Sequence, residues 1–168
     1  MKQLTHYNTT FKKRTFPIIL VCDNITNAPN VGSLFRTADA FGVEKIIFCG
    51  SDIPTGRKMT KTARSTEKVV PFSISESVSQ TLNLLKQEGY QLIALEITSA
   101  SQPIQNLKLD NKKIALVIGD ENFGVSKPAL NYCNAQYHIN MFGQNSSMNV
   151  VQATSIALYE ITQQLLKT

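Results

Sequence analysis

No stretch of this 168-residue sequence approaches the roughly 20 consecutive apolar residues that cross a bilayer. The opening MKQLTHYNTTFKKR has none of the apolar core that a signal peptide carries, so a cytoplasmic location is expected. Charged residues are few, 17% against a hydrophobic share of 42%, a balance that excludes a disordered chain. Cysteine is limited to Cys22, Cys49 and Cys133, far apart and each in or beside an apolar stretch. An odd count without paired spacing argues against a disulfide framework and a zinc site, and favours buried reduced thiols. His6 and His138 have no companion at ligand spacing, so no metal is expected.

Two nucleotide-binding signatures are also missing. No G-x-G-x-x-G follows the first apolar run, and no phosphate-loop Gly-Lys-Ser/Thr occurs, which counts against a standard nucleotide-binding domain acting as an interaction module. No arrangement of serine, histidine and aspartate suggests a hydrolase. The net charge of +5 permits a polyanionic partner without requiring one.

What is present is an alternation of short apolar runs and helical patterns. Ile18 to Cys22, Ile46 to Cys49, Val69 to Phe72, Leu92 to Leu95 and Ile114 to Ile118 read as buried strands, with Tyr137 to Ile139 as a sixth. Val31, Leu34, Phe35 and Ala38 share one helical face, and Gly42 can end that helix. Ser73 and Glu76 have capping-box spacing before a helix through Leu82 and Leu85 to Gly89. Ser126 and Pro128 mark a short helix start, and Val150, Ala153, Ala157, Ile161 and Leu165 form a C-terminal apolar stripe. The expected fold is α/β, a mostly parallel sheet with helices on both faces. A basic segment, 1–16, precedes a single domain, 17–168, within which Ser99 to Asn111 is a polar connection.

Three segments follow predicted strands, where α/β proteins place ligands. The first is Asn30-Val31-Gly32-Ser33-Leu34-Phe35-Arg36-Thr37-Ala38. By itself Asn30 reads equally as a helix cap and Arg36 as a solvated side chain. The second is Gly119-Asp120-Glu121-Asn122-Phe123-Gly124-Val125-Ser126, either a ligand loop with close backbone approach at Gly119 or a tight strand-to-helix turn. The third is Phe142-Gly143-Gln144-Asn145-Ser146-Ser147-Met148-Asn149, which offers either backbone N–H groups to a polar ligand or a cap from Ser147 or Asn149.

In this order the three segments resemble the SpoU/TrmH family of RNA ribose 2′-O-methyltransferases: its N-x-G-x-x-x-R-T-A, G-x-E-x-x-G and S-L-N motifs. The resemblance covers roughly Pro17 to Gln163. It implies a C-terminal trefoil knot, with S-adenosylmethionine held by the second and third loops and lined by Leu95, Gly119, Ile139 and Met148. Asn30, Arg36, Glu121, Ser147 and Asn149 match the family's functional polar positions. It also implies a homodimer in which RNA-facing groups of one subunit lie near the cofactor of the other. Two departures stand out: Ile139-Asn140-Met141 where the family often has Ile-Pro-Met, and Met148 in place of leucine.

The implied reaction is methyl transfer from S-adenosylmethionine to a ribose 2′-hydroxyl of tRNA or rRNA, a group that itself specifies RNA. Arg36 matches the family's proposed proton acceptor. A guanidinium with a pKa of about 12 or higher is a poor base, and a charged Arg36 facing the developing alkoxide accounts for the same residue. The segment from Gly56 to Lys68 carries Arg57, Lys58, Lys61 and Arg64 with one acid, Glu67, and reads as a phosphate-binding surface or a solvated loop. Lys12, Lys13 and Arg14 can add to it. The alternative is a non-catalytic RNA-binding protein of the same fold, against which the intact Arg36, Glu121 and Asn149 set counts.

Overall fold

The apolar runs become seven strands, all paired in parallel. A computed structural model describes residues 3–4, 8–110 and 112–167; His6 and Asn111 lie outside them. The strands are β1 (Phe16–Asp23), β2 (Val43–Cys49), β3 (Phe72–Ser75), β4 (Gln91–Leu95), β5 (Gln102–Pro103), β6 (Ile114–Gly119) and β7 (Ala135–His138). Their order is β3-β2-β1-β6-β4-β7-β5. The helices are α1 (Ala28–Ala40), α2 (Arg57–Ala63), α3 (Val78–Gln87), α4 (Lys127–Tyr132) and α5 (Val150–Lys167).

Side chains alternate across a strand, so a sheet covered on both faces needs apolar residues at successive positions. That is what the central strands show. Ile18, Leu20 and Cys22 of β1 and Leu116 and Ile118 of β6 join Leu34 and Phe35 of α1 and Ala157, Leu158 and Ile161 of α5 in one core. Ile19, Val21, Ala115 and Val117 face the other way, onto Leu82 and Leu85 of α3 and Ala129 of α4. The stripe on α5 is therefore spent inside the chain. Phe35 meets Phe48 and Phe72 at ring-centroid distances of 5.6 and 5.1 Å, which ties β3 to the α1 side.

Several sequence expectations need correction. β3 runs from Phe72 to Ser75, not from Val69 to Phe72, because a 3-10 turn at Thr66–Lys68 extends the preceding segment. Ser73 consequently pairs with Ile47 in the ladder, and the cap of α3 is Ser77, whose side chain accepts from Gln80 N at 3.3 Å. The connection after Ser99 contains β5, a two-residue edge strand on which Pro103 is tolerated, and a 3-10 turn at Ile104–Asn106. The basic stretch after Gly56 is a helix, α2, not a loop. It packs on α1 so closely that a Cβ on Gly32 would overlap the Met59 carbonyl. β1 begins at Phe16, whose N–H donates to Gly42 O at 2.8 Å. Gly42, at φ +63°, ends α1 as its position suggests.

Leu116 is fully buried in the central strand, whereas Phe142 is 96% exposed. Leu116→Ala should lower stability in urea denaturation by about 2 to 5 kcal/mol. Phe142→Ala should leave the midpoint nearly unchanged.

Candidate functional site

From β1 the sheet grows outward to β2 and β3 on one side, and from β6 to β4, β7 and β5 on the other. The direction of growth switches between β1 and β6, where open α/β sheets form a crevice at the strands' carboxyl ends. Four connections meet there: the turn into α1, residues 96–101 after β4, residues 120–126 after β6, and residues 139–149 between β7 and α5.

Asn27, not Asn30, caps α1, since its side chain accepts from Asn30 N at 3.1 Å. The Asn30 side chain is thereby free for tertiary contacts. Its Nδ2 donates to Glu121 Oε1, and its Oδ1 accepts from Asn149 Nδ2 at 3.1 Å. Glu121 and Asn149, 91 and 119 positions from Asn30 in the chain, thus join it in one hydrogen-bonded relay. Asn149 also acts as the cap its position suggests, because its Oδ1 accepts from Val151 N at 2.9 Å at the start of α5. Ser147 is not a cap; its N–H and hydroxyl both donate to Asn145 Oδ1 at 3.2 Å.

Beside the relay lies a cavity of about 330 Å³. Leu95, Gly119, Ile139 and Met148 all line it, as do Glu121 and Ser147. They come from several different connections, and the size falls within the range of about 300–1,000 Å³ usual for small-molecule pockets. The lining combines apolar Leu95, Ile139 and Met148 with polar Glu121 and Ser147, which suits a small ligand with apolar and polar parts. The tight strand-to-helix turn by itself requires glycine at 119. A Cβ there would overlap the backbone of Gly124 and Val125, so its own loop demands the close approach.

Arg36 is not part of the relay. It is exposed on α1, six residues past Asn30, which sets it about 9 Å along the axis and turned by roughly 120°. Among the described residues it has no hydrogen-bond or ion-pair partner within the chain. Arg57, Lys58 and Lys61 of α2, with Arg64 just beyond it, are likewise all exposed, while Met59 and Ala63 are buried beneath them. α2 follows β2 and so lies toward the same edge of the sheet as the cavity.

Sequence reasoning missed Asp23 and Glu96, carboxylates at the ends of β1 and β4. Val125 N donates to Glu96 Oε2 at 2.7 Å and Ser126 N to Asp23 Oδ2 at 2.9 Å. Their position at the carboxyl ends of apolar runs was the available signal. His138, which also lines the cavity, has Ser101 Oγ 2.9 Å from Nδ1 and Asn140 Oδ1 3.2 Å from Nε2.

The thiols are free. Burial, reinforced by the nearby Cys49 and Asp23, pushes Cys22 well above the usual thiol range. Burial raises Cys49 to about 11 and Cys133 to about 12. All three therefore stay protonated at neutral pH, which removes them as nucleophiles. Among the described residues no three His, Cys, Asp or Glu side chains are grouped to hold a metal ion, and no helix is long and apolar enough to cross a membrane.

Comparison with known proteins places the sequence and the fold in one family. Residues 17–159 match the SpoU rRNA Methylase family. A 23S rRNA (guanosine-2′-O-)-methyltransferase of Blochmanniella floridana is 33% identical over 167 residues, covering 96% of this chain and 63% of that protein. The A. aeolicus TrmH/SpoU tRNA modifying enzyme superposes with a TM-score of 0.83 at 28% identity, over 92% of this chain and 78% of that one. An AdoMet-bound rRNA methyltransferase from Sinorhizobium meliloti shares the fold, with a TM-score of 0.83 at 22% identity over 92% and 59% of the two chains. The chain spans 68%, 63% and 60% of the length of three curated relatives that it matches.

Gly119, on the cavity wall, and Gly143, in the loop before α5, differ in their surroundings. A Cβ added at Gly143 would meet no atom within 4 Å, whereas one at Gly119 meets backbone. Gly119→Ala should displace residues 120–126 and weaken ligand binding at the cavity, and Gly143→Ala should not. Thermal melts and calorimetric titration of S-adenosylmethionine on both variants check this.

Proposed function

Because the chain belongs to the SpoU rRNA Methylase family, we propose that it transfers a methyl group from S-adenosylmethionine to a ribose 2′-hydroxyl of tRNA or rRNA. The observation that carries the proposal is the meeting of Leu95, Gly119, Ile139 and Met148 around one cavity beside the Asn30–Glu121–Asn149 relay. The Blochmanniella floridana relative, named for 2′-O-methylation of guanosine in 23S rRNA, and the tRNA-modifying A. aeolicus enzyme support the reaction class.

The cofactor, when bound, supplies a methyl group on a sulfonium whose charge is lost on transfer. Leu95, Ile139 and Met148 would pack its apolar portion, with the backbone at Gly119 alongside. The chain's own work is then positioning and charge stabilisation. Asn30 is held between a donor and an acceptor, so its side chain keeps one orientation and fixes the loop ends carrying Glu121 and Ser147 relative to each other. An alkoxide forming at the ribose needs a cation, and the relay contains none. Arg36 is the residue we assign to that role, as a charged guanidinium gripping phosphate and facing the developing oxyanion.

Its distance from the relay on α1 is explained if two subunits share each site. We propose a homodimer in which Arg36 of one subunit serves the cavity of the other. The outer face of α5 supports this assembly: Ile156, Tyr159 and Leu166 are exposed on one side of a helix whose opposite side fills the core. Family membership also favours the expected C-terminal trefoil knot, in which the C-terminal segment would thread a loop. Arg57, Lys58, Lys61 and Arg64 would hold RNA phosphates, extended by the basic segment 1–16 ahead of the single domain. We place the reaction in the cytoplasm, where three unpaired thiols stay reduced.

Arg36→Ala should lose on the order of a hundredfold in single-turnover methylation of RNA, with cofactor binding intact. Glu121→Ala should lose a comparable factor and keep a measurable residual rate. If the sites are shared, mixing the two impaired variants restores activity, because one site in each mixed dimer is whole. No recovery in a verified mixed dimer would return Arg36 to its own subunit's site, and full activity in Arg36→Ala would remove its catalytic role. Saturable cofactor binding without methylation of any RNA would instead favour the non-catalytic RNA-binding reading.

The basic helix makes a separate prediction. Lys58→Glu combined with Lys61→Glu should weaken RNA binding and flatten its dependence on salt, since fewer phosphate counterions are released. Cofactor affinity should not move. Equal salt slopes for wild type and variant would reduce α2 to a solvated helix.

A further inference from the structure

The loop that carries Glu121 leaves β6, and β6 lies between β1 and β4 in the sheet. Each neighbouring strand ends in a carboxylate directed at that loop. Asp23, the last residue of β1, accepts from Ser126 N at 2.9 Å, and Glu96, just past β4, accepts from Val125 N at 2.7 Å. Two successive backbone amides are thus gripped from opposite sides by two negative charges.

The remaining oxygens are also engaged. Glu96 Oε1 accepts from Ile97 N at 2.9 Å, and Asp23 Oδ1 accepts from Asn24 Nδ2 at 3.0 Å. The loop is shaped to offer the amides. Asp120 O accepts from Gly124 N at 2.8 Å, Asp120 Oδ1 accepts from Asn122 N at 2.8 Å, and Gly124 turns the chain at φ +67°. A Cβ on Gly124 would overlap the Glu96 carboxylate. Asp23 is only 1% exposed, and a carboxylate is costly to bury unless strong donors meet it. A core position at the end of a strand is ordinarily served as well by an apolar residue, so the acid is there for the loop.

We propose that Asp23 and Glu96 are positioning residues that strap the loop 120–126 to both flanking strands and so hold Glu121 against Asn30. Both act through Glu121; Glu96 also lines the cavity, so its strap role is read from exchange and resonance position, which need no cofactor. The consequence for activity rests on the methyl-transfer reading above, whereas the strap itself does not.

An amide side chain tests it, because glutamine or asparagine accepts at one atom and donates at the other where the carboxylate accepts at both. In Glu96→Gln and Asp23→Asn, hydrogen exchange at the Val125 and Ser126 amides should quicken by about tenfold or more, the loss of a charge-assisted hydrogen bond. The Asn30 side-chain amide resonance should move toward its position in Glu121→Ala. Neither readout needs cofactor or RNA. In turnover, kcat should fall about tenfold in each strap variant, as for one such hydrogen bond, with a smaller change in KM for RNA. In a Glu121→Ala background the same substitutions should cost nothing further.

Unchanged exchange, an unmoved Asn30 resonance, or a full second loss of kcat on the Glu121→Ala background would each overturn the proposal. If Asp23→Asn does not fold, Glu96→Gln, at a half-buried residue on the cavity wall, decides alone. A wild-type protein that methylates no RNA would overturn the reading of function and leave exchange and resonance position to judge the strap.

Discussion

Parallel pairing of β1 with β6 sets Ile18 beside Ile114 and carries the register through to Asp23 beside Gly119. Parallel strands cannot be joined by a hairpin, so most connections cross back over a face of the sheet; the short one from β4 to β5 stays at the carboxyl edge, since Leu95 and Gln102 both pair with Tyr137. All the carboxyl ends then fall on one edge, and the loops that leave them are forced into proximity. The register also puts a buried acid next to the glycine that begins the second motif loop. A shift of one residue would turn Asp23 toward a different neighbour and exchange the two apolar faces of β1. The site therefore depends on the same ladder that builds the core.

The polarity of the relay follows from its chemistry. Asn30 is a donor and an acceptor in one rigid group, placed between the Asn149 amide and the Glu121 carboxylate. An aspartate at that position would set two carboxylates against each other, and a leucine would leave both partners unpaired. With Asp120, Glu121, Glu96 and Asp23 close together, the loop after β6 is rich in negative charge. The cations a polyanionic substrate needs lie elsewhere, on α1 and α2, at the surface. Such a division fits the proposed dimer, in which acids and amides would set geometry and cations would come from the neighbouring subunit.

Legibility varied with how local the cause was. Strands β1, β2, β4 and β6 were readable because burial on both faces leaves a continuous apolar run. α1 was readable from its period, and α4 from Ser126 and Pro128. β3 was misplaced and Ser73 misread as a cap, since pairing with β2 outweighed a local capping pattern that fits equally well by spacing. α2 looked like a loop because only Met59 and Ala63 of its seven residues are buried. β5 is two residues long and exists only because β7 is beside it.

By itself, then, the sequence determined the layer architecture, the order of the main elements and the three motif segments, all of which follow from periodicity and composition over a few residues. It also assigned Leu95, Gly119, Ile139 and Met148 to one pocket through family resemblance. Only the tertiary structure decided that Asn30, Glu121 and Asn149 meet in one relay, that Arg36 stands apart from them, and that Asp23 and Glu96 grip the loop between. Those facts depend on distances between residues dozens of positions apart, set by register and helix packing. A hydrogen bond needs its partners within about 3 Å, and no local pattern in the chain encodes that.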